Sequence, residues 1–189
     1  MSSDLRRPLL FWDIETTDLE ADRGRLVFFG ATTSDGGSFF SVAAPRRGSQ
    51  RAALRSIFAV LRQYPHWVTY NGRRFDVPFL FSVGAKCGVL PPTPRLHLDL
   101  YNWIRRQTRF SCRRLVYLSH HLLAVDPYEG PWLPSGSFPG CVIPATWPEQ
   151  AGKCLRDLRA THNLTLLFGR KLHRRFPSLC RLSCPTTTL

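Results

Sequence analysis

The chain has 189 residues, 43% of them hydrophobic and 12% aromatic, which suits one domain, or one domain with a tail, and excludes wholesale disorder. Lys and Arg number 26 against 13 Asp and Glu, a formal charge of +13 that favours a polyanionic partner, most simply nucleic acid, over a basic surface tuned only for solubility. No apolar run approaches the roughly 18 residues of a membrane-spanning helix, so no membrane partner is expected, and acids follow the first apolar run too closely for a secretory signal.

Pro8 to Glu15 reads as a buried strand, a short apolar run with aromatic enrichment. Arg25 to Thr33 reads as a second strand and Ser38 to Ala43 as a third, after the turn signal "SDGG". Together they suit an antiparallel meander. Over 49–63 the period changes, and Leu54, Ile57, Phe58 and Leu61 mark one face of an amphipathic helix. "WVTY" at 67–70 is a fourth strand, "NGRRFD" turns the chain, and a helix runs on to about Lys86. "RLHLDL" at 95–100 is a fifth strand. Residues 101–124 read as one basic helix, with Arg105, Arg106, Arg109, Arg113 and Arg114. Residues 126–148 hold six prolines and three glycines and read as a long irregular loop of the kind that serves as a lid or binding segment. A last helix is expected over 148–174, with Pro148 and Glu149 suited to its first turn. Residues 175–189 read as a loosely packed tail beyond a domain of residues 1–174.

This order implies a mixed α/β sheet with helices on its faces. Sites in such sheets form at the carboxyl ends of strands. Acids collect there: Asp13 and Glu15 after strand one, Asp76 after strand four, Asp99 after strand five. Strand alternation puts Asp13 and Glu15 on one face, where they repel each other and something positive must compensate. A salt bridge to one of the many basic residues would do so, and so would a metal. Asp76 opens a helix, where an ordinary cap is the simplest role. Asp157 sits mid-helix, a poor place for Asp by propensity, and pairing with Lys153 one turn earlier is its simplest role.

Three stretches change that balance when taken together: "FWDIETTDL" (11–19), "YNGRRFDVPFL" (70–80) and "CLRDLRATHNLTLL" (154–167). They resemble the three motifs of the DEDD superfamily of 3′–5′ exonucleases, and most of all the stand-alone exonucleases related to the proofreading domain of family-B DNA polymerases. "HLDL" (97–100) and "FPGCVIP" (138–144) are similar to features of the same relatives, and the resemblance covers about residues 7–170. It implies a ribonuclease H-like α/β fold, three antiparallel strands followed by parallel ones in a five-stranded sheet. It implies cleavage of nucleic acid from a 3′ end, DNA before RNA and single-stranded or frayed ends before duplex, in DNA repair or beside a replication partner. It assigns Asp13, Glu15, Asp76 and Asp157 as ligands of two Mg²⁺ or Mn²⁺ ions, and hard oxygen donors suit those ions. It puts the backbone near Thr16 and Thr17 on the terminal nucleotide, with Leu19 wedged beside the base.

The family's third motif carries a general base, Tyr four residues or His five residues before the last Asp. Those places hold Lys153 and Gly152 here. Lys153 reads first as a solvated surface lysine and second as a group that orients water or touches the scissile phosphate. Tyr128, from the long loop, is a candidate substitute. His162 lies about 140° around the helix from Asp157 and is not expected to act with it. Asp99 is expected to cap the following helix or to support the ligands rather than bind metal. Asn71, Arg73, Arg74 and Phe75 adjoin Asp76, and a basic pair beside an aromatic ring suits phosphate and base, although Phe75 fits the core equally well. The basic residues of 105–114 and "GRKLHRR" (169–175) could add a phosphate track. Two rivals are a structure-specific endonuclease on the same fold and a non-catalytic nucleic-acid-binding module. Six scattered cysteines without a CxxC pair give little support to zinc and point to reduced thiols in the cytoplasm, although Cys180 and Cys184 are spaced to permit a tail disulfide.

Overall fold

The computed structural model describes residues 8–35, 39–44, 46–124 and 148–173. Five strands form one mixed sheet: β1 (Leu10–Thr16), β2 (Leu26–Thr33), β3 (Phe39–Ala43), β4 (His66–Thr69) and β5 (Leu96–Asp99). Their spatial order is β3-β2-β1-β4-β5. The first three run antiparallel as a meander, and β4 and β5 join parallel to β1. This is the expected ribonuclease H-like arrangement, and it places β1 at the centre.

Both faces of the sheet are covered, so the strands can be apolar almost throughout. Leu10, Trp12 and Ile14 of β1 point to one side, where they meet α1 (Gln50–Gln63) and α2 (Asp76–Cys87) through Leu54, Ile57, Phe58, Phe79 and Leu80. Phe11 points to the other side, toward α5 (Pro148–Leu167) and its Cys154, Leu155 and Leu158. The apolar stripe expected on α1 is buried as the period demands. α2 ends at Gly88, whose left-handed φ of 63° lets the Val89 amide bond back to the Gly84 carbonyl at 2.9 Å, a stop that glycine makes at little cost.

Two helices expected as single pieces are broken. The stretch 101–124 is α3 (Leu100–Gln107) and α4 (Leu115–Leu122) with seven non-helical residues between them. Thr108 ends α3 in an extended conformation, and its hydroxyl donates to the Ile104 carbonyl at 2.9 Å. The sequence "TRFSCRR" between the helices combines poor helix formers with three arginines that would repel along a helix. The last helix divides at Phe168 into α5 and the short α6 (Gly169–His173). No helix among the described residues is long and apolar enough to cross a membrane.

Candidate metal centre

Alternation along β1 carries Asp13 and Glu15 to the same face as Phe11, under α5. The close seat of α5 depends on Gly30, which faces Asp13 in the β1–β2 register. A Cβ there would lie 2.8 Å from the Cys154 sulfur. The Cys154 thiol in turn donates to the Asp13 carbonyl at 3.7 Å. Asp157 follows Cys154 by three residues and so returns to the same face of the helix. One carboxylate oxygen each of Asp13, Glu15 and Asp157 lies within 4.8 Å of the others. Asp76 approaches from the other side of β1, its Oδ1 accepting the Ile14 amide at 3.2 Å. The expected cap role is therefore not what its carboxylate performs. The N-cap position of α2 is Phe75, with no side-chain capping bond.

Burial and mutual repulsion make these acids hard to ionise. Burial, then Asp76, Asp157 and Glu15, push Asp13 well above the usual carboxylate range. Burial raises Glu15 as well, against the pull of Lys153. Asp76 rises to about 7, chiefly by burial. Asp13 Oδ2 is buried and has no hydrogen-bond partner. A buried, unpartnered carboxylate oxygen costs free energy unless a cation meets it. The donor set is all hard oxygen, which suits a divalent cation of the Mg²⁺ class and not a soft one.

Lys153 is exposed, as expected of a surface lysine, but its ammonium is paired with the acids. Its Nζ lies 2.7 Å from Glu15 Oε1 and 3.6 Å from Asp157 Oδ2. Burial opposes its charge, but Glu15, Asp157 and Asp13 outweigh that and raise its pKa above the ordinary lysine value. Thus both simple pairings considered from the sequence, a basic partner for the β1 acids and Lys153 for Asp157, meet in one ammonium group.

The turn after β4 is built to hold Asp76 in place. Asn71 takes the left-handed region at φ 62°, which Asn tolerates. A Cβ on Gly72 would meet the Thr69 hydroxyl at 2.4 Å, so the chain passes too close to β4 for any other residue. Asp99 serves as the N-cap of α3, accepting the Asn102 amide at 3.1 Å, and also accepts the amides of Asn71 at 3.2 Å and Arg73 at 3.0 Å. It caps and braces, as expected, and does not join the three-acid cluster.

Two grooves meet at Asp13. The first, about 630 Å³, runs from Asp13 and Asp76 past Asn71, Arg74, Phe75 and Leu19. Leu19 is 75% exposed. Phe75 does both things asked of it, packing beside Phe79 with ring centres 5.7 Å apart while lining this groove. The second, about 660 Å³, runs from Asp13 and Asp157 past Tyr70, Tyr101, Ser111, Arg113 and Arg114. Arg73 belongs to neither. Its guanidinium donates to the His97 carbonyl, and it lines a small separate cavity with Asn102 and Arg106. The turn over residues 71–75 sends the consecutive arginines to different sides. Thr16 and Thr17 are engaged locally, with Oγ1 of Thr16 donating to the Asp18 carbonyl at 2.8 Å and Oγ1 of Thr17 accepting the Arg25 amide at 3.1 Å. They hold the connection that presents Leu19. His162 is half-buried and packs edge-on against Phe11 at 4.9 Å.

Sequence reasoning missed Gly30, Cys154, Tyr70 and Tyr101. Gly30 carried a signal, as a glycine inside a strand. Tyr70 anchors the segment between α3 and α4 by donating to the Arg113 carbonyl. Tyr128, the loop 126–147, Cys180, Cys184 and the tail lie outside the described residues.

Residues 10–129 match the family profile described as RNase H superfamily. That stretch includes Asp13, Glu15 and Asp76 and ends before Asp157. No curated protein matches the chain. Among solved structures, the family B DNA polymerase from the archaeon Pyrobaculum calidifontis aligns with a TM-score of 0.68 and 20% identity, over 93% of this chain and 27% of the polymerase. The zinc-bound form of an E. coli ExoI–ssDNA complex aligns with a TM-score of 0.58 and 17% identity, over 93% of this chain and 42% of that one. E. coli exonuclease I with a dT13 oligonucleotide gives 0.54 and 16%, over 90% and 43%. The chain thus spans less than half the length of each, and at these identities the likeness is one of fold. With the profile match covering well over half the sequence, and the sheet order and strand directions agreeing, the chain belongs to the RNase H superfamily.

Proposed function

We propose that the chain is a divalent-metal-dependent 3′–5′ exonuclease that hydrolyses DNA at single-stranded or frayed ends, with residues 1–174 as its catalytic domain and 175–189 as a tail. The observation that carries this is the convergence of Asp13, Glu15 and Asp157 oxygens within 4.8 Å, with the buried Asp13 Oδ2 unpartnered. Fold similarity to exonuclease I bound to single-stranded DNA supports the choice of substrate.

Asp13, Glu15, Asp76 and Asp157 would hold Mg²⁺ or Mn²⁺, which when bound activates water and neutralises charge on phosphate. The reaction joins a water oxygen to phosphorus and breaks the P–O3′ bond. The shortened strand keeps the 3′ oxygen, which gains a proton, and a nucleoside 5′-monophosphate leaves. The acids would place the cation, and with it the reacting phosphate, at the carboxyl end of β1. Leu19 and Phe75 bracket the terminal base along the first groove, and Arg74 meets a phosphate. Tyr101, Arg113 and Arg114 carry the strand on along the second. The basic charge draws the polyanion in. A replication or DNA-repair protein would supply the ends on which the enzyme acts.

The ion pair of Lys153 with Glu15 favours a second reading, a nucleic-acid-binding module without turnover. The test uses 5′-labelled single-stranded and duplex DNA with Mg²⁺, Mn²⁺ or EDTA. A metal-dependent ladder shortening from the 3′ end supports the exonuclease. Discrete internal cuts point to an endonuclease, and binding without cleavage in either metal refutes the enzyme.

A further inference from the structure

The ammonium of Lys153 is fixed between a strand acid and a helix acid, 2.7 Å from Glu15 Oε1 and 3.6 Å from Asp157 Oδ2. It shares a helix with Asp157 at a spacing of four residues, so the pair is set by α5 itself. Its partner Glu15 is 12% exposed in its side chain, whereas the lysine itself is 56% exposed and open to an incoming phosphate. Asp13 Oδ2 is different: it is buried and has no hydrogen-bond partner. Within one cluster, therefore, one edge already holds a positive charge and the other presents a bare carboxylate oxygen. A divalent ion seated between Glu15 and Asp157 would stand next to the ammonium and meet twice the repulsion of a unit charge at that distance. An ion at Asp13 is attracted by the acid that most lacks a partner.

We propose that the centre takes a single divalent cation, at Asp13, and that the Lys153 ammonium held by Glu15 and Asp157 is the second positive charge facing the phosphate. This rests on the metal-dependent nuclease reading above and concerns how that site is charged. An ammonium has three donor hydrogens, and the hydrogen bond to Glu15 takes one, which leaves donors for a phosphate oxygen. The lysine then stands at the position of the family's tyrosine with a different task, neutralising charge rather than positioning water.

Titration of the full chain with Mn²⁺ at neutral pH, followed by electron paramagnetic resonance of free and bound ion, tests this without any turnover. Wild type is expected to saturate at one ion per chain, Lys153→Met at two, and Lys153→Arg, which keeps the charge, at one. Two ions on wild type, or one on Lys153→Met with its circular dichroism unchanged, would overturn the proposal while leaving the nuclease reading intact. No ion on wild type would overturn both. If Lys153→Met does not fold, the wild-type and Lys153→Arg stoichiometries still decide, because two ions on either contradict the proposal.

Discussion

The thiol of Cys154 points at the carbonyl oxygen of Asp13, sulfur to oxygen 3.7 Å, across 141 residues of sequence. This contact marks the depth at which α5 rests on β1, and with it the distance of Asp157 from the β1 acids. Gly30 permits it, because a Cβ there would come 2.8 Å from the Cys154 sulfur and 3.1 Å from Leu158 Cδ1. Gly30→Ala is expected to cost about 1–3 kcal/mol, as overpacking does, and to slow cleavage by lifting Asp157 away. Adding Cys154→Ala should restore most of both. Thermal melts and cleavage rates of the two single variants and the double check this, and a Gly30→Ala protein as stable as wild type contradicts it.

Asp13 is the acid most opposed by its surroundings. Asp13→Asn removes a buried, repelled charge. In EDTA the variant should therefore melt higher than wild type, while cleavage falls by more than about 100-fold, since even groups behind a metal ligand are worth 10–100-fold. Stability and activity moving in opposite directions is the signature; a variant that loses both has a role in folding instead.

The pH dependence has a definite sign. Asp13, Glu15 and Asp76 all have folded-state pKa values raised above their ordinary ones, and Asp76 reaches about 7. Between the ordinary value of 3.8 and about 7, the folded chain holds the Asp76 proton that the unfolded chain has lost. Their contribution to stability is thus present at low pH and disappears as pH rises through that window. His97, lowered to about 4 by burial and Arg73, acts in the opposite sense, as does the half-buried His162. A divalent cation that binds the ionised acids would stabilise the fold by mass action. The gain in melting temperature from Mn²⁺ over EDTA should therefore grow steadily from pH 4 to pH 7, with the histidines contributing equally to both series. A gain independent of pH places the ion elsewhere.

Consecutive arginines should behave differently. Arg74 lines the groove with Asp13, whereas Arg73 is tied to the His97 carbonyl. Arg74→Ala is expected to weaken single-stranded DNA binding and to lower the slope of log K against log salt by about 0.7, the share of one phosphate contact. Arg73→Ala should leave that slope unchanged and lower the melting temperature. Salt titrations by fluorescence anisotropy distinguish the two.

Much of this site is legible in the sequence because it depends on local rules. The period of two on β1 puts Asp13 and Glu15 together, and the turn residues Asn71 and Gly72 mark the bend before Asp76. Asp99 could be read as a cap. What was not legible depends on approach between distant segments. Lys153 and Glu15 are 138 residues apart, and only the depth of α5 brings them into contact. The break between α3 and α4 is only half written in the poor helix formers of 108–114, and Tyr70 holding the Arg113 carbonyl supplies the rest. The separation of Arg73 from Arg74 follows from the tight turn over residues 71–75, in which consecutive side chains diverge.

Product analysis tests the central claim most directly. Wild-type protein, single-stranded DNA and Mg²⁺ should yield nucleoside 5′-monophosphates from the earliest time points, with none from Asp157→Asn and none in EDTA. Oligonucleotide fragments without mononucleotides, or equal release by Asp157→Asn, would contradict an exonuclease built on these four acids.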